Sequence, residues 1–274
     1  MKKFTFLLLA LVLPVAAGNL FAGSLDSLSN QSERFMMTTS RNAATDAADI
    51  AAFNPAGIVF LPKGLHIDVS VQTLLKFYEQ QAKLGANEKT FEQDLPTWAL
   101  PNLYVVYNFG DIGPGKLGLY LSGGVPAGGG DLDWNGTAGL NAALSGAGTS
   151  LSFKASSIYY GIGLGGAYSF LEDKLAVSLG GRLVIARRGV EMGATVPGLG
   201  EVSAEFDYNA VGITPIIGID VRPIDKLTLA ARYEFTTNLK FEYEEKSIGG
   251  SSIGISSVRN LLGTNGIADG KKFN

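Results

Sequence analysis

Apolar and polar residues alternate along several separate stretches of this chain. Such alternation places successive side chains on opposite faces of a β-strand. In the first stretch one face has Leu65, Ile67, Val69 and Val71, and the other has His66, Asp68, Ser70 and Gln72. The further stretches are 102–109, 116–125, 156–170, 175–185, 201–221 and 226–241. The pattern predicts seven antiparallel strands, each with one apolar face.

Turn-forming residues separate these predicted strands. Residues 110–115 and 172–174 predict tight turns, whereas 131–149 and 187–200 predict long loops. The third strand is followed by a break, because proline lacks a backbone donor and glycine permits bulges. The residues of this break are Gly123, Gly124, Pro126, Gly128, Gly129 and Gly130. In the sixth strand, Pro215 predicts a bend or an edge position.

The chain before the first strand has a different character. Residues 23–62 are rich in Ala, Ser, Thr and Asn and show no alternation. A short helix is predicted over residues 42–53, and Asn54-Pro55 ends it because proline disfavours a helical conformation at the preceding residue. We expect this element to fold back as a compact hatch into the interior of the strands.

The extreme N-terminus has the order of a secretory signal peptide. Lys2 and Lys3 precede an apolar run over residues 4–17, and small residues follow as far as Ala22. Pro14 and Gly18 interrupt the run short of the ~20 apolar residues that a transmembrane helix needs. We expect export through the Sec route with cleavage after Ala22, or alternatively after Ala17.

Composition narrows the class of exported protein. The chain is 46% hydrophobic and 17% charged, yet it contains no long apolar helix after the signal. Apolar residues spread over short alternating segments are typical of transmembrane strands, which need only ~9–11 residues each. We therefore predict an all-β fold, a transmembrane antiparallel β-barrel with a short, partly helical hatch in its lumen. Its expected location is the outer membrane of a Gram-negative-type bacterium, with the barrel-assembly machinery and outer-membrane lipids as partners.

Several function classes are disfavoured by the residues themselves. A formal net charge of −3 provides no basic face for nucleic acid. The absence of cysteine removes disulfides, thiol catalysis and zinc-thiolate sites. The single histidine, His66, has no nucleophile motif near it, and the glycines of 161–166 lie within a strand rather than before a helix. We predict no enzymatic activity, no cofactor and no metal site.

Four short motifs resemble the hatch of the FadL/TodX family of outer-membrane transporters for long-chain fatty acids and aromatic hydrocarbons. They are Ser40-Arg41-Asn42-Ala43, Asp46-Ala47-Ala48-Asp49, Phe53-Asn54-Pro55-Ala56-Gly57-Ile58 and Phe60-Leu61-Pro62-Lys63-Gly64. The resemblance continues through Pro101-Asn102-Leu103-Tyr104 and the break after the third strand. It implies a fourteen-stranded barrel with an N-terminal hatch and a kinked third strand that opens the wall sideways.

The resemblance also implies a function and roles for particular residues. Hydrophobic small molecules would be taken up passively, with a hatch motif at Asn54, Pro55, Ala56 and Gly57. The lateral opening would lie at the break between Gly123 and Gly130. Candidate ligand contacts in the hatch are Phe35, Met36, Met37 and Phe53, although packing against the barrel accounts for them equally well.

Charged residues fall on the faces predicted to point inward. They are Asp68, Arg182, Asp220, Arg232 and Glu234. An arginine turned toward lipid would cost about 2–4 kcal/mol at the membrane midplane. We expect these charges to form a lumen network that holds the hatch.

Two questions stay open from the sequence. A general diffusion porin and a structural or adhesive barrel are the alternative functions, and a soluble β-sandwich is the alternative fold.

The number of predicted strands is the second open question. Seven strands are half of the fourteen that the resemblance implies, and residues 269–274 are polar without alternation. We therefore expect a truncated or incomplete member of the family, with an incomplete barrel over residues 63–274.

Overall fold

A computed structural model describes residues 30–75, 79–84, 87–92, 97–134, 150–196, 200–224, 226–264 and 269–273. The predicted signal peptide and residues 135–149 of a predicted loop lie outside these ranges.

Strands dominate the described chain. They are β1 (Gly64–Leu74), β2 (Glu79–Leu84), β3 (Asn87–Glu92), β4 (Thr97–Ile112), β5 (Gly115–Trp134), β6 (Ser150–Phe170), β7 (Leu175–Val196), β8 (Gly200–Ile224), β9 (Leu227–Glu234), β10 (Phe241–Gly250) and β11 (Lys272–Phe273). The helices are α1 (Glu33–Thr38), α2 (Ile50–Phe53), a 3-10 helix (Pro55–Phe60) and α3 (Ser252–Thr264). No helix in these ranges is long and apolar enough to span a membrane.

One antiparallel sheet contains most of the strands. Its order is β1-β4-β5-β6-β7-β8-β10-β11, and β9 also pairs with β8. Strands β2 and β3 form a separate hairpin between β1 and β4. The predicted all-β, antiparallel character is confirmed.

Several strands extend further than the alternation predicts. Strand β5 continues to Trp134, into the predicted loop 131–149, and pairs there with β6. The predicted loop 187–200 is wrong, because Arg187 to Val196 continue β7 in unbroken pairing with β8. The reason is a reversal of side: beyond Ile185 the apolar residues of β7 face inward, where Val190 and Met192 are buried.

The predicted strand 226–241 is interrupted. Residues 235–240 form no strand, and β9 and β10 lie on either side of them. Both halves pair with the same edge of β8, with Glu234 opposite Ile216 and Glu242 opposite Asn209. The chain after 250, which shows no alternation, contributes α3 and the two-residue strand β11, so the expectation of a loop over 269–274 is corrected at Lys272–Phe273.

The N-terminal segment, residues 30–62, is built from short helices. Ser32 caps α1 by accepting a hydrogen bond from the Phe35 amide at 3.1 Å. The helix predicted over 42–53 is reduced to Ile50–Phe53, because residues 41–49 form turns around buried Arg41 and Asp49. Asn54 ends α2 in an extended conformation with φ −147° and ψ 97°, as expected for a residue before proline.

The N-terminal segment packs on one face of the sheet. Its 3-10 helix contacts strands β4 to β8 as well as α2. In a 3-10 helix consecutive side chains point about a third of a turn apart, so contact from one side would leave some of them exposed. Ala56, Ile58 and Val59 are nevertheless all fully buried. The sheet is therefore concave toward this segment.

The opposite face of the sheet carries an outer apolar belt. We define the belt by two rows of paired residues: Tyr160, Ile185 and Val211 at one end, and Phe170, Leu175 and Val221 at the other. Between the rows, exposed apolar side chains include Ile162, Leu164, Val177, Leu179, Ile213 and Ile217. Beyond the first row the outward residues become polar, as at Arg187 and Glu205.

A second core lies beyond the belt. There α3 lies on the inner face of the sheet, where Leu262 packs in one cluster with Val190 of β7, Phe206 of β8 and Tyr243 of β10. This core explains the reversal of side in β7.

Candidate functional site

Asn54 joins the N-terminal segment to the sheet. Its side chain is fully buried, and its Nδ2 donates to Asp220 Oδ1 on β8 at 2.5 Å and to the Asn42 carbonyl at 3.0 Å. The Asn54 Oδ1 accepts from the Ala56 amide at 3.3 Å and so caps the 3-10 helix. The side-chain amide of Asn54 therefore connects the 3-10 helix, the loop that contains Asn42, and strand β8.

Glycines in the sheet allow this close approach. A Cβ at Gly218 of β8 would lie 2.2 Å from Asn54 Oδ1, and a Cβ at Gly118 of β5 would lie 2.8 Å from Ile58 Cγ1. Gly57 in the hatch motif is similarly constrained, because a Cβ there would lie 2.6 Å from the Ala44 carbonyl oxygen. Pro55, the remaining residue of the motif, is buried at the first position of the 3-10 helix. The fit depends on small residues from both partners.

The end of the 3-10 helix is held by groups on β1, β4 and β8. Asn108 Nδ2 donates to the carbonyl oxygens of Val59 at 3.0 Å and Leu61 at 2.6 Å. His66 Nε2 lies 2.7 Å from the Pro62 carbonyl oxygen, and the Arg222 guanidinium lies 3.5 Å from the centre of the Phe60 ring. The chain thus enters β1 at a defined position.

An ion pair organises the loop before α2. Arg41 donates to Asp49 at 2.6 and 3.0 Å and to Asp46 at 2.6 and 3.2 Å. Ser32 Oγ also donates to Asp49, at 2.6 Å, so the buried carboxylate is well supplied with donors. The hydrogen bond from Arg41 lowers the pKa of Asp46 below its ordinary value, against a smaller opposing effect of burial.

Polar contacts also tie the start of the segment to β1 and β4. Asn30 and Asn102 exchange two amide hydrogen bonds of 2.8 Å. The Gln31 amide donates to Gln72 Oε1 at 2.8 Å, and Arg34 Nε lies 3.5 Å from Asp68 Oδ2. These residues connect α1 to the first two strands of the sheet.

The five charges predicted to form one network lie in three separate places. Arg182, Arg232 and Glu234 form one cluster, in which the carboxylate of Glu234 contacts both guanidinium groups. Asp68 instead faces Arg34, and Asp220 accepts from Asn54. Only the latter two contact the N-terminal segment in these pairs. The cluster bridges β7 and β9 across the inner face of β8.

The four candidate ligand contacts also divide. Phe35 and Phe53 stack within the N-terminal segment, with ring centres 5.2 Å apart and planes within 6°. Met36 and Met37 are exposed, at 62% and 83% of their full accessible area. The aromatic pair fixes α1 against α2, whereas the two methionines present free apolar surface.

The break after the third predicted strand is a pair of bulges rather than an end. Strand β5 stays paired with β6, with register shifts between Gly124 and Ala127 and between Gly128 and Gly130. Gly128 has φ +79°, in the left-handed region that favours glycine. Pro126 lies over Gly161, because a Cβ at Gly161 would be 2.9 Å from the proline ring. Gly129 lies within β5 and continues the strand.

The same bulges separate β5 from β4. Pairing between these strands ends with Gly123 opposite Leu103, although β4 continues back to Thr97 in pairing with β1. A Cβ at Gly124 would lie 2.6 Å from Asn102 Oδ1, so the amide pair of Asn30 and Asn102 lies at the point where the strands part.

Several residues of this site are not evident from the alternation. Asn30, Asn102 and Asn108 anchor the N-terminal segment, while Gly118 and Gly218 make room for it. Inward asparagines were a signal, because Asn is uncommon in strands and its buried amide requires partners. Comparisons of this chain with known protein families, curated proteins and solved structures find no match.

Proposed function

We propose that this chain is an outer-membrane transporter for the passive uptake of hydrophobic molecules, of the kind that the FadL/TodX resemblance implies. The observation that carries the proposal is the N-terminal segment, which is enclosed by a concave sheet with an apolar belt on its outside. An interior that is filled, within a sheet that is apolar on its outside, suits a plugged membrane barrel.

The dimensions of the belt support membrane insertion. Val211 and Val221 stand ten residues apart on β8, which corresponds to ~33 Å along a strand at ~3.3 Å per residue. With the ~45° tilt of barrel strands, this length corresponds to a belt ~23 Å tall, close to the ~25 Å apolar band of outer-membrane barrels. Tyr107, Tyr168 and Phe170 lie near the end with the tight turns, where aromatic girdles are expected.

The way the N-terminal segment is held favours a transporter over an open porin. Buried side chains such as Ile50, Ile58 and Val59 fill the concave face, which leaves less room for a steady aqueous path. The polar anchors, however, are a few hydrogen bonds made by Asn54, Asn102 and Asn108. A segment held by a few such bonds can shift as one unit while the sheet stays intact.

The proposed route leaves the interior sideways. Strands β4 and β5 part at Gly123, near the level where Tyr160 marks the edge of the belt. A hydrocarbon chain that entered water would lose ~0.8 kcal/mol per CH₂, so direct release into the bilayer is favoured. Asn30 and Asn102 would have to separate for a ligand to pass there.

The test uses the full mature chain refolded into lipid vesicles, with folding checked by heat-modifiable migration. Entry of a fluorescent long-chain fatty acid is compared between wild type and Asn30→Cys/Asn102→Cys. The chain has no other cysteine, so oxidation forms only this cross-link. We expect uptake by the wild type and a lower uptake rate in the oxidised variant, restored by reduction.

Folded wild type that transports no fatty acid and no aromatic hydrocarbon would overturn the proposal. A steady, non-selective ion conductance would favour the porin instead. Each single-cysteine variant serves as a control, since neither can form the cross-link.

A further inference from the structure

The sheet has a second interruption, in pairing along β8. One edge of β8 pairs with β7 without a break from Gly200 to Val221. The other edge pairs with β10 over residues 202–209 and with β9 over residues 216–224, and residues 210–215 pair with neither strand. Pro215 lies at one end of this gap and has no amide hydrogen to offer a neighbour.

The residues that would continue the strand between β9 and β10 lie on the inner side of the sheet. Residues 235–240, here called the crossing segment, pass over the inner face of β8 instead of lying beside it. A Cβ at Gly212 would lie 2.9 Å from Thr237 Cγ2 and from the Asn238 carbonyl oxygen. The hydroxyl groups of Thr214 and Thr237 are in contact, and the Phe235 amide donates to the Pro215 carbonyl at 3.0 Å.

The two halves of the interrupted strand also differ in phase. Tyr233 on β9 points outward and is 58% exposed, whereas Tyr243 on β10 points inward and is 1% exposed. Position 233 lies opposite Ile217, and 242 lies opposite Asn209, so one residue more is present than a regular ladder would need. The interruption between β9 and β10 therefore consists of one inserted residue, which shifts the register, and of the inward path of the crossing segment.

The gap lies within the outer apolar belt. Val211 and Ile213, at the unpaired stretch of β8, are 63% and 67% exposed on the outer face. None of residues 235–240 is buried, although Leu239 packs against a small cluster that includes Ala186 and Ala210. A segment with few buried contacts and few ladder hydrogen bonds opens at low cost.

We infer that the gap between β8 and the β9–β10 pair is a second lateral portal, closed by the crossing segment. Displacement of residues 235–240 would connect the interior to the lipid at Val211 and Ile213. The portal would admit apolar or amphipathic molecules of the fatty-acid type, and this inference rests on the proposed transport function. It is separate from the opening between β4 and β5, because β6 and β7 lie between the two.

The experiment locks the crossing segment to the wall. Thr214→Cys/Thr237→Cys brings two thiols to the position of the contacting hydroxyls, and the chain has no other cysteine. The full mature chain is refolded into lipid vesicles. A fluorescent fatty acid is then added outside the vesicles, and its rate of entry is measured. We expect the oxidised variant to lose a measurable part of the wild-type uptake rate, because the opening at Gly123 stays free, and to regain it on reduction, with both single-cysteine variants unchanged.

A photoactivatable fatty acid provides the second measurement. We expect labelled peptides within residues 211–215 and 235–241, with labelling lost in the oxidised variant. Undiminished uptake by the oxidised variant, with no labelling at these residues, would overturn the second portal and leave the opening at Gly123 in place. Wild type that folds and transports nothing would instead overturn the proposed function, so the two failures are distinguishable.

Discussion

Asn54 in the N-terminal segment and Asp220 in β8 are joined by a 2.5 Å hydrogen bond between two completely buried side chains. They are far apart in sequence, and their contact links the segment directly to β8. Asp220 Oδ2 has no hydrogen-bond partner in the described part of the chain. Asn54 is therefore the principal donor to a buried carboxyl group.

Removal of this donor should destabilise the docked segment. We expect Asn54→Ala to lower the free energy of unfolding by about 1–3 kcal/mol, since it leaves a buried acceptor without its partner. In an Asp220→Ala background the same change should cost less. Urea titration of the refolded protein gives both values, with the exposed Asn209→Ala as the control. Equal costs in both backgrounds would contradict the coupling.

Glycine at the contact with Asn54 should be required for docking. Gly218→Ala places a Cβ 2.2 Å from Asn54 Oδ1, and overpacking of this kind costs about 1–3 kcal/mol. Gly181→Ala is the matched control, because the nearest atom to its Cβ would be 3.6 Å away. Protease cleavage within residues 30–62 should be faster in the first variant only. Similar cleavage of both variants would show that the close approach is unimportant.

The arginine pair on β7 and β9 should depend on its shared carboxylate. Glu234→Gln removes the carboxylate that Arg182 and Arg232 share, and the side chains of these arginines are 16% and 19% exposed. We expect a loss of roughly 1–3 kcal/mol in stability from this partly buried site, below the ~3–5 kcal/mol of a fully buried pair. Glu191→Gln, which is 58% exposed and 4.0 Å from Lys154, should change the denaturation midpoint little.

The ion pair of Arg41 and Asp46 predicts a response to acid. Because the pKa of Asp46 is lowered in the folded chain, its contribution is present above the ordinary pKa of about 4 and is lost as pH falls below that value. The stability difference between wild type and Asp46→Asn should therefore be constant from about pH 7 to about pH 5 and shrink at lower pH. Asp111→Asn, at an exposed position near the end of β4, is the control for general acid effects.

The outer apolar belt predicts a sensitivity to charge that depends on depth. Leu179 lies midway between the two rows of the belt and is 70% exposed. In a bilayer, Leu179→Arg should cost about 2–4 kcal/mol and reduce assembly into vesicles. Glu191→Arg, on the same strand beyond the belt, should assemble normally. Equal assembly of the two variants would argue against a lipid-facing belt.

Alternation predicted the strands where one face is apolar and outward. It failed beyond Ile185, because Val190 and Met192 face inward and share a core with α3. The position of that helix depends on the fold and cannot be predicted from the alternation within β7. It also failed at residues 235–240, since Leu239 and Phe241 continue the alternation of β9 although the chain folds inward. Local periodicity cannot detect a change of side that distant packing decides.

The candidate site was predictable at its motif and not at its anchors. Asn54-Pro55 ended a helix as expected, because proline restricts the preceding residue whatever lies around it. The partners of Asn54 come from Asn42 and from Asp220, which only the folded sheet brings together. Single hydrogen bonds over such sequence distances leave no local pattern.

The reversal of side between Ile185 and Arg187 sets how deeply the protein would sit in a bilayer. Movement by two residues along the strand, ~7 Å, would draw Arg187 into hydrocarbon at one end or expose Leu175 to water at the other. A membrane thicker than the belt would then have to thin around the protein rather than shift it. Such mismatch would favour thin membranes, so in the proposed function the spacing of the two rows would itself select the membrane into which the strands insert.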